Sequence, residues 1–370
     1  MNLFKPGSPL IFPADDPQLV KALQRETRAY LSAQDDHRYA DGWTRAKALL
    51  LLLGCVTCYL MSLHQSHIIP FFFCYLAMMF CAMLLTVNVV HEASHNAFLR
   101  GKRANVWLNR IVAIPLGMDP DCWRVRHVRF HHSYTNIESY DPDTAENGLL
   151  RQTPWQRWRP FMRAQRYYWP LVAALTFPWY IWVADWLDRA GLTPVTRHLA
   201  QQGFRGWLPF LCGKGGHILF CLVLPVWLLN THFTLTDVLV VYLLSQLSVS
   251  LVFVMLIIGT HWAKGHVELP PESGKMSRGR LAHVFATSFD WSCGPQWLGY
   301  WLGGLNLHLT HHLFPHWNHR HYPARSKIIE KVADEKGVAY QRLSLSDLVT
   351  QQQQFLQKMG RQPEDKSTER

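Results

Sequence analysis

Twenty histidines stand in a chain of 370 residues, and eight of them fall into three tight clusters. His91 and His95 form HxxxH, His127, His131 and His132 form HxxxHH, and His308, His311 and His312 form HxxHH. On a helix, side chains three or four apart share a face, so each cluster can aim two or three imidazoles at one point. Neutral imidazole suits iron, copper, nickel and zinc. A structural or catalytic zinc needs only three or four protein ligands, so eight suit two ions. Nitrogen ligation of two redox-active metals points to oxygen activation, and a membrane would deliver a hydrocarbon chain for such a centre to attack.

Other readings explain less. A lone HxxxH is ordinarily two unrelated histidines. The run His91-Glu92-Ala-Ser-His95 is literally HExxH, the zinc-protease motif, but an intramembrane zinc protease leaves the other two clusters idle. A metal transporter would place its polar groups at the bilayer midplane. These histidines stand at or beyond the ends of the apolar tracts.

Those tracts are the elements that must position the clusters. Residues 48–90 contain no Asp, Glu, Lys or Arg, and residues 217–260 contain only Asp237. A helix over either tract would be roughly 65 Å long, about twice a bilayer core. Each therefore reads as a hairpin of two spans, near 48–63 and 69–90, then near 217–230 and 238–260. Trp169–Trp186, broken by Pro170 and Pro178, reads as an interfacial or re-entrant piece. Every one of the 37 Lys and Arg residues lies in 1–47, 100–214 or 264–370. By the positive-inside rule those segments, both termini and all three clusters face the cytoplasm.

The net charge of +11 suits anionic lipid headgroups, and no nucleic-acid recognition module accompanies it. Sixteen Trp, nineteen Phe and thirteen Tyr exclude a disordered chain. The polar first 45 residues do not read as a signal peptide. They carry an amphipathic helix capped by Asp16, with Pro17 at its first position and Leu19, Val20, Leu23, Tyr30 and Leu31 along one face. Of eight cysteines five lie inside the apolar tracts, and the Cys55–Cys58 pair reads as core packing. The expected organisation is a cytosolic amphipathic segment (1–47), a membrane hairpin (48–90), a cytosolic segment with two clusters (91–216), a second hairpin (217–260), a cytosolic segment with the third cluster (261–345) and a frayed polar tail (346–370).

The three clusters resemble the histidine boxes of the integral-membrane fatty acid desaturases. His131-His132-Ser-Tyr-Thr-Asn136 followed by Asp141-Pro-Asp143 is similar to that family's HHxxTN…DPD run. Gly303-Gly304-Leu-Asn306 through His312-Leu-Phe-Pro315, then His319-Arg-His321-Tyr-Pro323, resembles the third-box region of the acyl-CoA and front-end branch. The resemblance runs over about residues 10–345. Two positions depart from it: Glu92 stands where Asp is commoner, and His308 where many front-end members have Gln.

The resemblance implies an all-α membrane protein: four transmembrane helices in two hairpins, with a cytosolic helical cap holding a di-iron centre. It implies two iron ions, O2 as co-substrate and removal of two hydrogens from a fatty acyl chain carried by CoA, acyl carrier protein or lipid. A hydroxylase, ketolase or acetylenase would use the same ligands. No HPGG-type haem segment is present, so an external donor is expected, such as ferredoxin or cytochrome b5 with its reductase. The expected setting is multi-pass in a bacterial inner membrane. Glu92, Asn136, Asp141 and Asp143 are the expected carboxylate and amide partners of the ligand imidazoles. His316, His319 and His321 are expected to support the site rather than ligate.

The family usually adds one histidine after its fourth span, and both His261 and His266 stand there. They point in directions roughly 140° apart on a helix. His261 leaves the apolar run at the depth of the first box and is the expected ninth ligand.

Overall fold

The computed structural model describes residues 6–263 and 266–363. Asp16 opens α1 (Pro17–Ala33) by accepting the Gln18 N–H at 2.9 Å. Leu19, Ala22 and Leu23 on its inner face pack against Ile329, Val332 and Ala333 of a later helix, so the amphipathic segment is part of the cap. Asp41 caps α2 (Gly42–Ser62) through the Thr44 N–H at 2.8 Å. The second apolar helix, α3 (Ile68–Ser94), carries the first box on its last turn. Its Thr86–Val90 stretch is wound as a π-helix, a form frequent at functional sites.

Next come α4 (Lys102–Val112) and α5 (Pro120–Arg124), which continues as the π-helical Val125–His131 and bears the second box. The Trp169–Trp186 stretch starts on α6 (Gln165–Ala174) and continues in the short pieces Thr176–Trp179, Tyr180–Ala184 and Asp185–Arg189. Then follow α7 (Gly203–Leu228) and α8 (Leu235–Leu256). The broken stretch lies along α8: Ser250 Oγ accepts the Phe177 N–H at 3.0 Å and donates to the Ala173 carbonyl at 2.8 Å.

Four helices, α2, α3, α7 and α8, are long and apolar enough to cross a membrane. Leu50, Leu53, Phe73, Trp227 and Leu243 on them are exposed, as lipid-facing residues must be. Their bounds differ from the charge-free tracts for physical reasons. The third starts at Gly203, not near 217, and so includes Lys214. Burial there is tolerated because Lys214 Nζ donates to Asp185 Oδ2 and to the Gly117 and Ile181 carbonyls, each at 2.8 Å. The first starts at Gly42, because Lys47 is likewise buried and donates to the Tyr300 carbonyl at 2.6 Å. Asp237, the lone charge of the second tract, makes a capping box with Thr234 at the start of α8.

After α8 the cap is completed by α9 (Arg280–Thr287), α10 (His308–Leu313) with the third box, and α11 (Tyr322–Glu335). Strands Asp290–Ser292 and Arg342–Ser344 pair in parallel. Where a frayed tail is expected, Leu345–Gly360 forms α12. Leu348, Gln352, Leu356 and Met359 are buried on one face, and Gln165 Nε2 donates to the Leu356 carbonyl at 2.9 Å. The glutamine run hid this helical spacing. Residues 364–370 of that expected tail lie outside the described residues.

Candidate metal centre

The three boxes meet. His91, on the last turn of α3, has its Nε2 3.1 Å from His311 Nε2 on α10. His91, His95, His127 and His311 can bring one ring nitrogen each within 4.8 Å of one another, and so can His131, His261, His308 and His312. Each group draws on different boxes, so neighbours in sequence part company: His131 belongs to one group while His132 leans on the other. His132 Nε2 lies 3.1 Å from His127 Nε2 and 3.0 Å from His311 Nε2. All nine imidazoles are buried.

His261 Nε2 is 2.6 Å from His308 Nε2, and its ring centroid is 4.8 Å from that of His131. His266 stands apart: its side chain is 51% exposed and pairs with Glu268 at 3.0 Å. Lys264 and Gly265, between the two histidines, lie outside the described residues.

Buried polar atoms need partners. Yet both ring nitrogens of His95 and the Nε2 of His131 have none among the described residues. The Nε2 atoms of His91, His127, His132, His261, His308, His311 and His312 face other ring nitrogens, and neutral imidazole offers one acceptor and one donor. A cation within each group would satisfy the converging lone pairs, so the residues fit a metal centre. The charge states agree. Burial, and then the repulsion of neighbouring imidazoles, holds His127, His132, His308, His311 and His312 well below the usual histidine range. Burial likewise lowers His261 to about 3. His131 differs: burial opposes its charge, but Asp141 and Asp143 outweigh burial and raise it to about 9.

Of the expected supports, Asp141 and Asp143 do approach a histidine. His131 Nδ1 lies 3.1 Å from Asp141 Oδ1 and 3.3 Å from Asp143 Oδ2. Asp141 also accepts the Asn136 N–H at 2.8 Å and the Asp143 N–H at 3.0 Å. Asn136 acts through its backbone: its φ of 57° is the left-handed conformation that Asn tolerates, and its buried amide group has no partner among the described residues. Glu92 accepts from Asn318 Nδ2 at 3.0 Å and lies 3.4 Å from His319 Nδ1, tying the first box to the chain after the third. It is 3.9 Å from His91 Nδ1. Held this way, it is not poised as the general base that an HExxH protease requires.

Three partners were not singled out from the sequence. Tyr322 Oη lies 2.8 Å from His311 Nδ1, and Thr135 Oγ1 lies 3.3 Å from His312 Nδ1. Trp123 stacks on His127 with centroids 4.5 Å apart. Tyr322 and Thr135 sit inside the His-Tyr-Pro and Thr-Asn runs, which was the available signal. His316 Nδ1 is 2.9 Å from the His95 carbonyl, and His321 Nδ1 is 3.0 Å from Tyr30 Oη, so both sit outside the two groups.

Beside the centre is a mostly apolar cavity of about 510 Å³ between α6, the pieces after it, the 142–152 loop and α8. Val172, Leu175, Trp179 and Val254 contribute apolar wall, and Asp143 and Trp262 stand where it approaches His131 and His261. Its charged lining is Asp143, Glu146, Asp188 and Arg126, and Arg126 is ion-paired to Asp185 at 3.0 Å and Asp188 at 2.5 Å.

Known proteins share this arrangement of sequence. A family model described as fatty acid desaturase matches residues 66–344. The chain is 28% identical over 268 residues to sn-1 linoleoyl-lipid 6-desaturase of Synechocystis sp., covering 68% of this chain and 70% of that one. It is 23% identical to sn-1 linoleoyl-lipid 6-desaturase of Arthrospira platensis, covering 94% of both. It is 28% identical to acyl-lipid (8-3)-desaturase of Physcomitrium patens, covering 80% of this chain and 61% of that one. With three histidine boxes converging below four apolar helices, the chain belongs to the fatty acid desaturase family and is a membrane oxidoreductase of that family.

Proposed function

We infer that the nine clustered histidines hold two iron ions and that the enzyme introduces a double bond into a fatty acyl chain of a membrane lipid. The observation that carries this reading is the pair of buried four-histidine groups with facing ring nitrogens. When bound, the iron pair supplies the oxidising power of O2, which ordinary side chains lack. The chain's own residues orient and shield. Asp141 and Asp143 fix the His131 ring, Tyr322 fixes His311, Thr135 fixes His312, and the Glu92–Asn318–His319 set braces the first box. Burial of every imidazole keeps water from the reacting carbon.

The cavity beside α8 suits the acyl chain. Its walls are apolar, and Leu171, Leu175 and Trp182 of the adjoining pieces are exposed on the outer side, where a bilayer would lie. The lipid carrier is favoured over CoA because the one arginine among the described lining residues is already ion-paired, leaving no free cation among them for CoA phosphates. The relatives named as acyl-lipid desaturases support the same choice. The test is a lipid profile of expressing cells by mass spectrometry with double-bond localisation. A new double bond in glycerolipid acyl chains is expected. Hydroxylated chains, or an unchanged profile with iron-replete protein, would overturn the reading.

Two further outcomes follow. Both termini are expected in the cytoplasm, because neither hairpin tip carries Lys or Arg. A reporter fused after Arg370 and active only outside the cytoplasm would reverse that topology. The purified protein is expected to form no product from O2 and acyl lipid until a reduced carrier such as ferredoxin or cytochrome b5, with its reductase, is added. Sustained turnover with NAD(P)H alone would contradict this.

A further inference from the structure

Lys47 is a buried lysine on the first apolar helix, only 5% exposed. Its Nζ donates to the Tyr300 carbonyl at 2.6 Å, lies 2.7 Å from His319 Nε2 and stands 3.6 Å from the centroid of the Tyr300 ring. A carbonyl oxygen, an imidazole nitrogen and an aromatic face are all partners for a cation. They match the three N–H groups of an ammonium in number, and an ammonium has no lone pair to offer. The carboxylates whose charges reach Lys47 are Glu92 and Asp41. Asp41 is taken up at the start of α2 by the Thr44 N–H at 2.8 Å and the Thr44 hydroxyl at 2.7 Å. Glu92, 1% exposed, is the buried charge left for Lys47 to balance.

This arrangement fixes the proton on His319. Its Nε2 accepts from Lys47, so the neutral imidazole carries its hydrogen on Nδ1. Burial, and then the Lys47 charge, hold His319 below the usual histidine range. Its Nδ1 faces Glu92 Oε1 at 3.4 Å. The other oxygen, Oε2, accepts from Asn318 Nδ2 at 3.0 Å and from the His319 N–H at 3.3 Å. Oε1 therefore stands between two ring nitrogens, His319 Nδ1 and, 3.9 Å away, His91 Nδ1. These three atoms are buried, and none makes a hydrogen bond among the described residues. His91 turns its Nε2 to His311, which leaves its Nδ1 as the N–H for Glu92.

We propose that Lys47 is a positioning residue for the first box: its ammonium sets the His319 tautomer, His319 holds Glu92 Oε1 ready for His91 Nδ1, and the carboxylate orients His91 and strengthens it as a metal ligand. This rests on the reading of the histidines as a metal centre and adds a control on one of its two groups. Loss of such support commonly costs about 10–100-fold in metal affinity. Geometry confines the effect. His91 belongs with His95, His127 and His311, whereas the other group has its own carboxylates, Asp141 and Asp143, on His131.

The test is a cobalt(II) titration of the iron-free full chain in lipid nanodiscs, read by the visible absorption of the bound ion. It compares the parent with Lys47→Arg, Lys47→Met, His319→Leu and the double variant Lys47→Met/His319→Leu. The parent is expected to bind cobalt in two steps. Lys47→Met should weaken one step about tenfold and leave the other within about twofold. Lys47→Arg keeps a charged donor and should recover to within about threefold of the parent. His319→Leu should weaken the same step, and adding Lys47→Met to it should cost nothing more, because Lys47 acts through His319. Equal binding in the parent and Lys47→Met overturns the proposal. So does equal weakening of both steps, or additive losses in the double variant, either of which would make Lys47 a general anchor for the Tyr300 segment. Should Lys47→Met fail to fold, His319→Leu carries the same comparison: loss at both steps or at neither overturns the proposal. A parent that binds no cobalt overturns the metal centre, and this support with it. Normal two-step binding with no difference among the variants overturns the role of Lys47 alone.

Discussion

Replacing His131 or His312 by alanine is expected to abolish product formation and to remove roughly half the bound iron while leaving the helices folded. Both residues belong to the group completed by His261 and His308. His312 stacks on His132 with centroids 4.2 Å apart, so it also borders the other group. Removing either ring leaves three nitrogens in a site whose members come from α5, α10 and the turn after α8. The fold does not depend on that site. α3 and α8 are joined in one apolar cluster through Phe71, Met79, Val249 and Phe253, and α1, α9 and α11 in another. Iron and product should therefore fall together, with circular dichroism and detergent-extracted yield near the parent's. Near-normal turnover in either variant would mean that the boxes do not share one centre.

The parts of the protein that were legible in the sequence are those governed by short-range rules. Helical spacing brought the boxes together, although the second and third divide between the two four-histidine groups, and the charge-free tracts located four apolar helices. The Asp16 cap and the face of Leu19 and Leu23 followed from local preference alone. What stayed hidden depends on partners far away in the chain. Lys214 and Lys47 disguised the starts of α7 and α2, because their neutralising contacts come from Asp185 and from Tyr300. The split of His131 from His132 could not be read from spacing, since adjacent residues on a helix point in different directions and each finds its own neighbours. Tyr322 and Thr135 lay in runs already noted, yet only the folded arrangement brings them to His311 and His312. Helix α12 was missed for the opposite reason: the charges and the Gln351–Gln354 run outweighed its spacing of Leu348, Leu356 and Met359.

Of the two histidines that follow α8, alanine at His261 is expected to cost the enzyme both iron and product, and alanine at His266 neither. His261 is 3% exposed, on the short turn Ile258–His261 that follows α8 directly. Its Nε2 approaches His308 Nε2 to 2.6 Å, and its ring stands edge-on to both His131 and His312. Two neutral imidazole nitrogens this close are satisfied either by sharing one proton or by sharing a cation, and a cation would serve all four rings of the group at once. His266 is held by surface electrostatics, paired with Glu268 and 3.5 Å from Arg278, where removing it should change stability by no more than about 1 kcal/mol. Iron per polypeptide and new double bonds per cell are the two readouts. Loss of both in His266→Ala with retention in His261→Ala would reverse the assignment. Retention of both in each variant would leave the centre to its eight box histidines, with the His261 imidazole only lining it.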